Sequence, residues 1–312
     1  MGKKGHARGD CRPQQSTHGG ETASARDVTV LLLRCLLNTL RLASGPAEMA
    51  SVLRFFSKAR IWRLARSSGT NEDETLRLTG VTHVLGLGSG ELFIPQEIYC
   101  EKVYERLADF VTQPGWVVFD VGANAGVYAV QQARRGAHVY AFEPNPNCYR
   151  RLVKSVHLNN LESRVTAANY ALGAIAGSAE LVVPAGMTIM GSLQAGGVPE
   201  SGAMRLPVKV ETIDQVVCGL GINQIDLLKV DAEGYELDIL QGASETLAHI
   251  NRVVLEYHSL DLRQRAVELL SWCGLNVMLD EKPIWSSTVG VLFARRRTCA
   301  VSKPTATDMV SC

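Results

Sequence analysis

The chain has 312 residues, 46% of them hydrophobic and 20% charged, with a formal net charge of +1. That composition is ordinary for a soluble globular fold, and the length suits one α/β domain of about 200 residues with appendages. The balanced charge excludes a global electrostatic attraction to nucleic acid or to a highly anionic partner.

Residues 1–27 are rich in Gly, Ser, Thr, Arg and Gln. They offer little apolar surface to offset ordering entropy, so a disordered tail is expected. Val28–Leu42 carries an apolar run that Arg34, Asn38 and Arg41 interrupt. It is too short and too polar for a membrane span, and it lacks the placement and cleavage site of a signal peptide. A second helix is expected over Ala47–Leu64, apolar at Met49, Val52, Leu53, Phe56, Ile61 and Leu64, with Arg54, Lys58, Arg60 and Arg63 between. Its basic face reads as the solvated side of a packed helix rather than a membrane-binding surface. Ser67–Glu74 reads as a polar linker, Thr75–Pro95 as a short β-hairpin, and Gly86-Leu87-Gly88-Ser89-Gly90 as a turn rather than a nucleotide loop. The eight cysteines are widely spaced, with no CxxC pair, which reads as reduced thiols in a cytoplasmic protein.

From Gln96 the pattern becomes α/β. A helix is expected over Ile98–Phe110, then strands at Val117–Val121, Val139–Phe142 and Val165–Leu172 with a helix over Asn147–Leu158. Glu180–Val183 and Leu206–Val210 read as an accessory pair. Ile225–Val230 and Val253–Tyr257 are further strands, with helices at Tyr235–Ala248 and Leu262–Trp272, and Asn276–Leu279 with Val289–Ala294 as a closing antiparallel pair. Strands and helices alternating at these lengths imply a mainly parallel, three-layer sheet.

The stretch Val117–Val121 breaks at Gly122-Ala123-Asn124-Ala125-Gly126, and Glu143 ends the next strand, 23 residues after Asp120. Strand, glycine turn, helix, strand and acid form the nucleotide-binding half of a doubly wound sheet. A dinucleotide loop presents backbone N–H groups to a pyrophosphate, and Asp120 at the loop entrance would repel that charge. S-adenosylmethionine carries an ammonium and a sulfonium instead, and an acid suits that cation. The pattern therefore points to S-adenosylmethionine rather than NAD.

Three segments carry a family resemblance: Phe119-Asp120-Val121-Gly122-Ala123-Asn124-Ala125-Gly126, Phe142-Glu143-Pro144-Asn145-Pro146, and Leu228-Lys229-Val230-Asp231-Ala232-Glu233-Gly234-Tyr235-Glu236, continuing to Leu240-Gln241-Gly242-Ala243. Over roughly Gln96–Arg297 the chain resembles the FkbM-type S-adenosylmethionine-dependent methyltransferases. The resemblance implies a class I methyltransferase fold, a Rossmann-like three-layer sandwich with seven strands, the last antiparallel. It leaves an N-terminal helical arm and hairpin (28–95) and a C-terminal tail (298–312) outside the catalytic domain (96–297). It implies methyl transfer to oxygen, typically a hydroxyl of a sugar or secondary metabolite. On it, Gly122, Ala123, Asn124 and Gly126 form the methionine-side loop, Asp120 helps hold the amino group, Glu143 binds the ribose hydroxyls, and Asn169 meets the adenine edge or caps a turn.

Lys229, Asp231, Glu233 and Glu236 fall at the carboxyl end of the Ile225–Val230 strand, where open α/β sheets bind ligands. Lys229 and Asp231 share one face of the chain, as alternate strand residues do. Asp231 is the first choice to contact the acceptor hydroxyl, and Glu233 is a base or a partner of Lys229. Glu236 is equally explained as an acid at a helix start. The end of the Val253–Tyr257 strand supplies Glu256, Tyr257 and His258, of which His258 titrates in the range of a general base. No ligand spacing among Asp231, Glu233 and His258 demands a metal, and none is expected. The partner expected is a small hydroxylated molecule and not nucleic acid, since no aromatic-rich basic groove is evident. The alternative is a non-catalytic cofactor- or partner-binding protein that kept the fold, against which the intact Asp120, Glu143, Lys229 and Asp231 argue. The Pro184–Pro207 insertion, with Met187, Met190 and Gly196-Gly197, reads equally as a lid or a passive loop.

Overall fold

A computed structural model describes residues 25–65, 72–87, 91–184, 192–194, 203–283 and 287–297. Most of the expected N-terminal tail, the C-terminal tail, the Gly88–Gly90 half of the glycine turn and the Met187, Met190 and Gly196-Gly197 positions lie outside the described residues.

Two helices open the chain, α1 (Ala25–Leu42) and α2 (Pro46–Ala65), followed by the hairpin β1 (Asp73–Leu78) and β2 (Val81–Gly86). Ala25–Asp27, expected in the tail, belong to α1, and Asp73 and Glu74, expected in a linker, pair in β1. Thr79 and Gly80 both take positive φ, 52° and 77°, the two-residue turn whose twist matches the hairpin. Glu48 of α2 caps this turn by accepting from the Thr79 and Gly80 N–H groups at 3.1 and 2.6 Å. In α2 the buried side includes Val52, Phe55 and Phe56, whereas Met49 and Leu53, expected inside, are nearly half exposed. No helix among the described residues is long and apolar enough to cross a membrane. The described cysteines Cys35, Cys100, Cys148, Cys218 and Cys273 are free thiols.

The main sheet contains β3 (Val117–Val121), β4 (His138–Phe142), β5 (Val165–Ala168), β10 (Leu227–Val230), β11 (Arg252–Tyr257), β12 (Leu275–Glu281) and β13 (Gly290–Arg296). Its order is β12-β13-β11-β10-β3-β4-β5, with β13 alone running against the rest. The chain winds outward from β3 to β5, then returns to β10 on the other side of β3, so a switch point lies between β3 and β10. Helices α3 (Val127–Arg134) and α4 (Pro146–Leu158) flank one face; α5 (Ile213–Leu220), α6 (Glu236–Gln241) and α7 (Leu260–Trp272) flank the other.

Alternate strand residues explain the two cores. Val118, Val139 and Val254 join the α3–α4 side, and Phe119, Phe142 and Val253 join the α5–α7 side. A sheet covered on both faces needs nearly continuous apolar strands, which is what Val117–Val121 and Arg252–Tyr257 supply. The α3–α4 core also takes in Phe55 of α2 and Leu76 and Leu78 of β1, so the N-terminal arm packs into the same hydrophobic cluster as the sheet.

Several expected elements are shorter than their patterns. The Ile98–Phe110 helix is replaced by a short, wide π-helix over Gln96–Glu101, stopped by Lys102 at φ 51°, and a single 3₁₀ turn at Ala108–Phe110. The Val165–Leu172 strand splits at Asn169-Tyr170: β5 stays in the main sheet, while β6 (Ala171–Leu172) joins a second sheet of order β6-β9-β7-β8. There β7 (Gly177–Val183), β8 (Ser192–Gln194) and β9 (Met204–Glu211) hold the accessory pair expected from the sequence. The Tyr235–Ala248 helix ends at Gln241 and is followed by a 3₁₀ turn over Thr246–His249; at Gly242 between them a Cβ would stand 2.0 Å from the Gly173 carbonyl oxygen, so only glycine fits there. Ile225 makes only an isolated bridge to Ile250 ahead of β10.

Candidate active site

Register sets the site. Val230 is level with Val121 on β3 and with Leu255 on β11, and Val121 is level with Phe142 on β4. The three sequence motifs therefore end side by side at the carboxyl edge of the sheet. A cleft with about 1180 Å³ of empty space, counted to its open mouth, lies over that edge.

The glycine loop is drawn across the cleft floor by two backbone bonds, from the Gly122 and Ala123 N–H groups to the Phe142 carbonyl at 3.1 and 3.0 Å. Gly122 has φ 74°, and a Cβ there would stand 1.8 Å from the Asp231 carbonyl oxygen. Only a glycine lets the loop lie against the end of β10. At Gly126 a Cβ would meet Leu152 Cδ1 at 2.2 Å, so this glycine serves the approach of α3 to α4 and does not line the cleft. Ala123 and Asn124 do line it.

Glu143 ends β4 and is almost fully buried. Its two carboxylate oxygens accept from the Asn124 N–H at 2.8 Å and the Asn145 N–H at 2.7 Å. Burial pushes its carboxyl up to about 7, against the pull of those two bonds. Asn169 hands its side-chain N–H groups to the Glu143 and Pro144 carbonyls at 2.8 and 3.1 Å and does not line the cleft, the placement of a turn cap; Tyr170 beside it is a lining residue.

Asp120 lies beneath the loop, fully buried, and forms an ion pair with Lys229 Nζ at 3.1 Å. Lys229 also reaches Asp231 Oδ2 at 3.5 Å and donates to the Gly122 carbonyl at 3.0 Å. The two neighbouring carboxylates overcome burial and hold this ammonium protonated. The expected shared face of Lys229 and Asp231 is observed. Asp231 and Glu233 line the cleft. Glu233, expected as a partner of Lys229, instead faces His258 Nε2 at 3.4 Å. Burial raises its carboxyl to about 7. Glu236 is fully buried and accepts from the Ala232 and Gly234 N–H groups and from His258 Nδ1 at 2.8 Å. That triple acceptance closes the turn between β10 and α6. Burial alone would lower the His258 imidazolium, yet Glu236, Asp231 and Glu233 lift it to about 9, and it is not a lining residue. One carboxylate oxygen each of Asp231 and Glu256 and one ring nitrogen of His258 lie within 4.8 Å of one another.

Sequence reasoning missed Tyr104 and gave Glu256 no role. The Tyr104 hydroxyl lies 2.9 Å from Asp231 Oδ2 and 2.8 Å from Glu256 Oε2, and its ring stands 5.2 Å from Lys229 Nζ. Tyr104 was hidden inside the segment read as one helix. Glu256 did carry a signal, as an acid breaking the apolar run of β11.

The strand order, the switch-point cleft and the acid-lined loop define a class I methyltransferase. Residues 120–275, half of the chain, match the model of the methyltransferase FkbM domain, and the chain belongs to that family. It is 28% identical to the 31-O-demethyl-FK506 methyltransferase FkbM of Streptomyces tacrolimicus, over 72% of this chain and 97% of that one. It is 27% identical to methyltransferase sdnD of Sordaria araneosa, over 66% and 90%, and 30% identical to the hexuronic acid methyltransferase AglP of Haloferax volcanii, over 53% and 65%.

Proposed function

We propose that this protein is an S-adenosylmethionine-dependent O-methyltransferase acting on a hydroxyl of a small molecule, such as a sugar or a secondary metabolite. The observation that carries the reading is the placement of Asp231 at the cleft floor, level with the glycine loop and beside Lys229. The residues present fit the cofactor. Glu143 keeps free lone pairs for ribose hydroxyls beyond its two backbone bonds, and Gly122 clears the space where the loop meets β10. When bound, the cofactor supplies a methyl group on a sulfonium, an electrophile ready for in-line displacement. Gly122, Ala123 and Asn124 would hold its amino-acid end, and Glu143 its ribose. Asp120 acts through Lys229, which in turn holds Asp231 by an ion pair.

Asp231 then lines the methyl site, contacts the acceptor and holds its oxygen in line, a positioning effect with large leverage on rate. The names of the FK506 and hexuronic acid relatives support small oxygen-bearing acceptors. A cytoplasmic enzyme without a nucleic acid partner belongs to the same reading. The test is transfer of labelled methyl from S-adenosylmethionine to a panel of hydroxylated sugars and metabolites. Wild type is expected to label at least one acceptor. Asp231→Asn is expected to lose about 10²-fold or more in turnover while still binding S-adenosylhomocysteine. Near-normal turnover of that variant would refute the role of Asp231.

A further inference from the structure

The Tyr104 hydroxyl has one hydrogen and faces two carboxylates, Asp231 at 2.9 Å and Glu256 at 2.8 Å. Tyr104 is 5% exposed, and its ring packs over the Lys229 ammonium and edge-on to Tyr128, so the hydroxyl is held in place from two sides. It reaches the site from outside residues 120–275, the segment matched by the family model. The two carboxylates it joins are not equivalent. Asp231 also faces Lys229, whose ammonium stands 3.5 Å from its Oδ2 and engages it in an ion pair. Glu256 has no cation within ion-pairing distance among the described residues, yet it lines the same cleft. Glu233 faces His258, and His258 is tied to Glu236, while Glu97, which also borders the cleft, is an exposed residue.

Resting on the O-methyl-transfer reading, we propose that Glu256 is the base that takes the proton of the acceptor hydroxyl, and that Tyr104 is the positioning residue that fixes Glu256 against Asp231. In the step, the acceptor oxygen forms its bond to the methyl carbon while the sulfonium–carbon bond breaks with its electron pair left on sulfur. The hydroxyl proton passes to the Glu256 carboxylate and then to solvent through the cleft mouth. Glu256 is faced by Asp231 and Lys229 from β10, by Tyr104 and Glu97 from the segment before β3, and by His258 beyond its own strand. Burial, with Asp231 beside it, places its carboxyl at about 7, where a base is both ionised and receptive in neutral solution.

The experiment compares wild type, Glu256→Gln and Tyr104→Phe for transfer to an accepted hydroxyl substrate across pH, with S-adenosylhomocysteine binding by calorimetry as the check on folding. Glu256→Gln is expected to bind S-adenosylhomocysteine as wild type does and to lose about 10²–10⁴-fold in kcat. In wild type, kcat/KM falls as pH drops through about 7, because a protonated Glu256 cannot accept. Tyr104→Phe removes a donor that favours the Glu256 carboxylate, so its acid limb moves to higher pH. Turnover of Glu256→Gln within a few-fold of wild type would overturn the base, and an unmoved acid limb in Tyr104→Phe would overturn the positioning role. Activity lost on chelation and restored by Mg²⁺ alone would make Glu256 a ligand instead of a base and overturn both. No transfer by wild type that binds S-adenosylmethionine would defeat the O-methyl reading itself, an outcome distinct from active Glu256→Gln.

Discussion

Single residues at the carboxyl edge carry more than one duty, and His258 shows how to separate them. Its imidazolium is raised from 6.5 to about 9 by three carboxylates that together outweigh its burial. A histidine raised on folding stabilises the fold fully below its unfolded value and loses that contribution as pH climbs through the folded one. His258→Ala is therefore expected to cost about 2 kcal/mol, the scale of a charge-assisted hydrogen bond, below about pH 6.5. The cost should shrink as pH rises through about 9. Urea unfolding at a series of pH values measures it, and a pH-independent cost would show that the ion pairs to Glu236 and Glu233 do not govern this residue. The sequence placed His258 at the strand end correctly, because the apolar run Val253–Leu255 fixes where β11 stops. Its partners were not legible. Glu236 folds back under the turn to meet it, and no periodicity reports a contact across 22 residues.

Among elements, the joint between the hairpin and α4 is the clearest case of charge used as structure. Arg151 of α4 is fully buried; its guanidinium meets Asp73 of β1 at 2.7 Å and Glu91 at 2.6 Å. Ser155 and Asn159, one and two turns further along, accept from the Val84 and Thr82 N–H groups of β2. One helix face thus binds β2 and the start of β1. Arg151→Met removes one partner of a buried pair and takes the guanidinium away from Glu91, which is expected to cost about 3–5 kcal/mol in chemical denaturation. A loss below about 1 kcal/mol would show that the Arg151 ion pairs add little to the hydrogen bonds and apolar contacts that hold the hairpin.

Element existence was legible here because β1 and β2 alternate and α4 repeats its apolar residues at helical spacing. Their docking was not, since Arg151 reads from sequence as one more basic residue on a solvated helix. The same limit explains the split of Val165–Leu172. A largely apolar run, broken here by Thr166 and Asn169, reports burial but not which of two sheets each half joins.

At the scale of the whole molecule, the parallel order and the return through β10 bring three separate sequence motifs to one edge. The motifs were readable because each combines a strand end with a residue the turn requires: Gly122 for its positive φ, Glu143 for the loop it caps, Asp231 for the end of β10. Their assembly into one cleft followed from the parallel topology that alternating strands and helices imply. What the pattern withheld is the roof. Tyr104 enters from irregular chain ahead of β3, and the second sheet brings Leu181 and Leu193 over the cleft. Tyr104 sat in a stretch read as one helix, and the pattern that marked Glu180–Val183 as a strand does not report what that strand covers.

The central claim is that this cleft holds a sulfonium cofactor through Glu143 and the glycine loop. Calorimetric titration of wild type and Glu143→Ala with S-adenosylmethionine, S-adenosylhomocysteine and NAD tests it most directly. Wild type is expected to bind both sulfur nucleosides saturably and NAD not at all, and Glu143→Ala to bind the two about tenfold or more weakly, the loss of a charge-assisted hydrogen bond. Binding of NAD, or sulfur-nucleoside binding indifferent to Glu143, would contradict it.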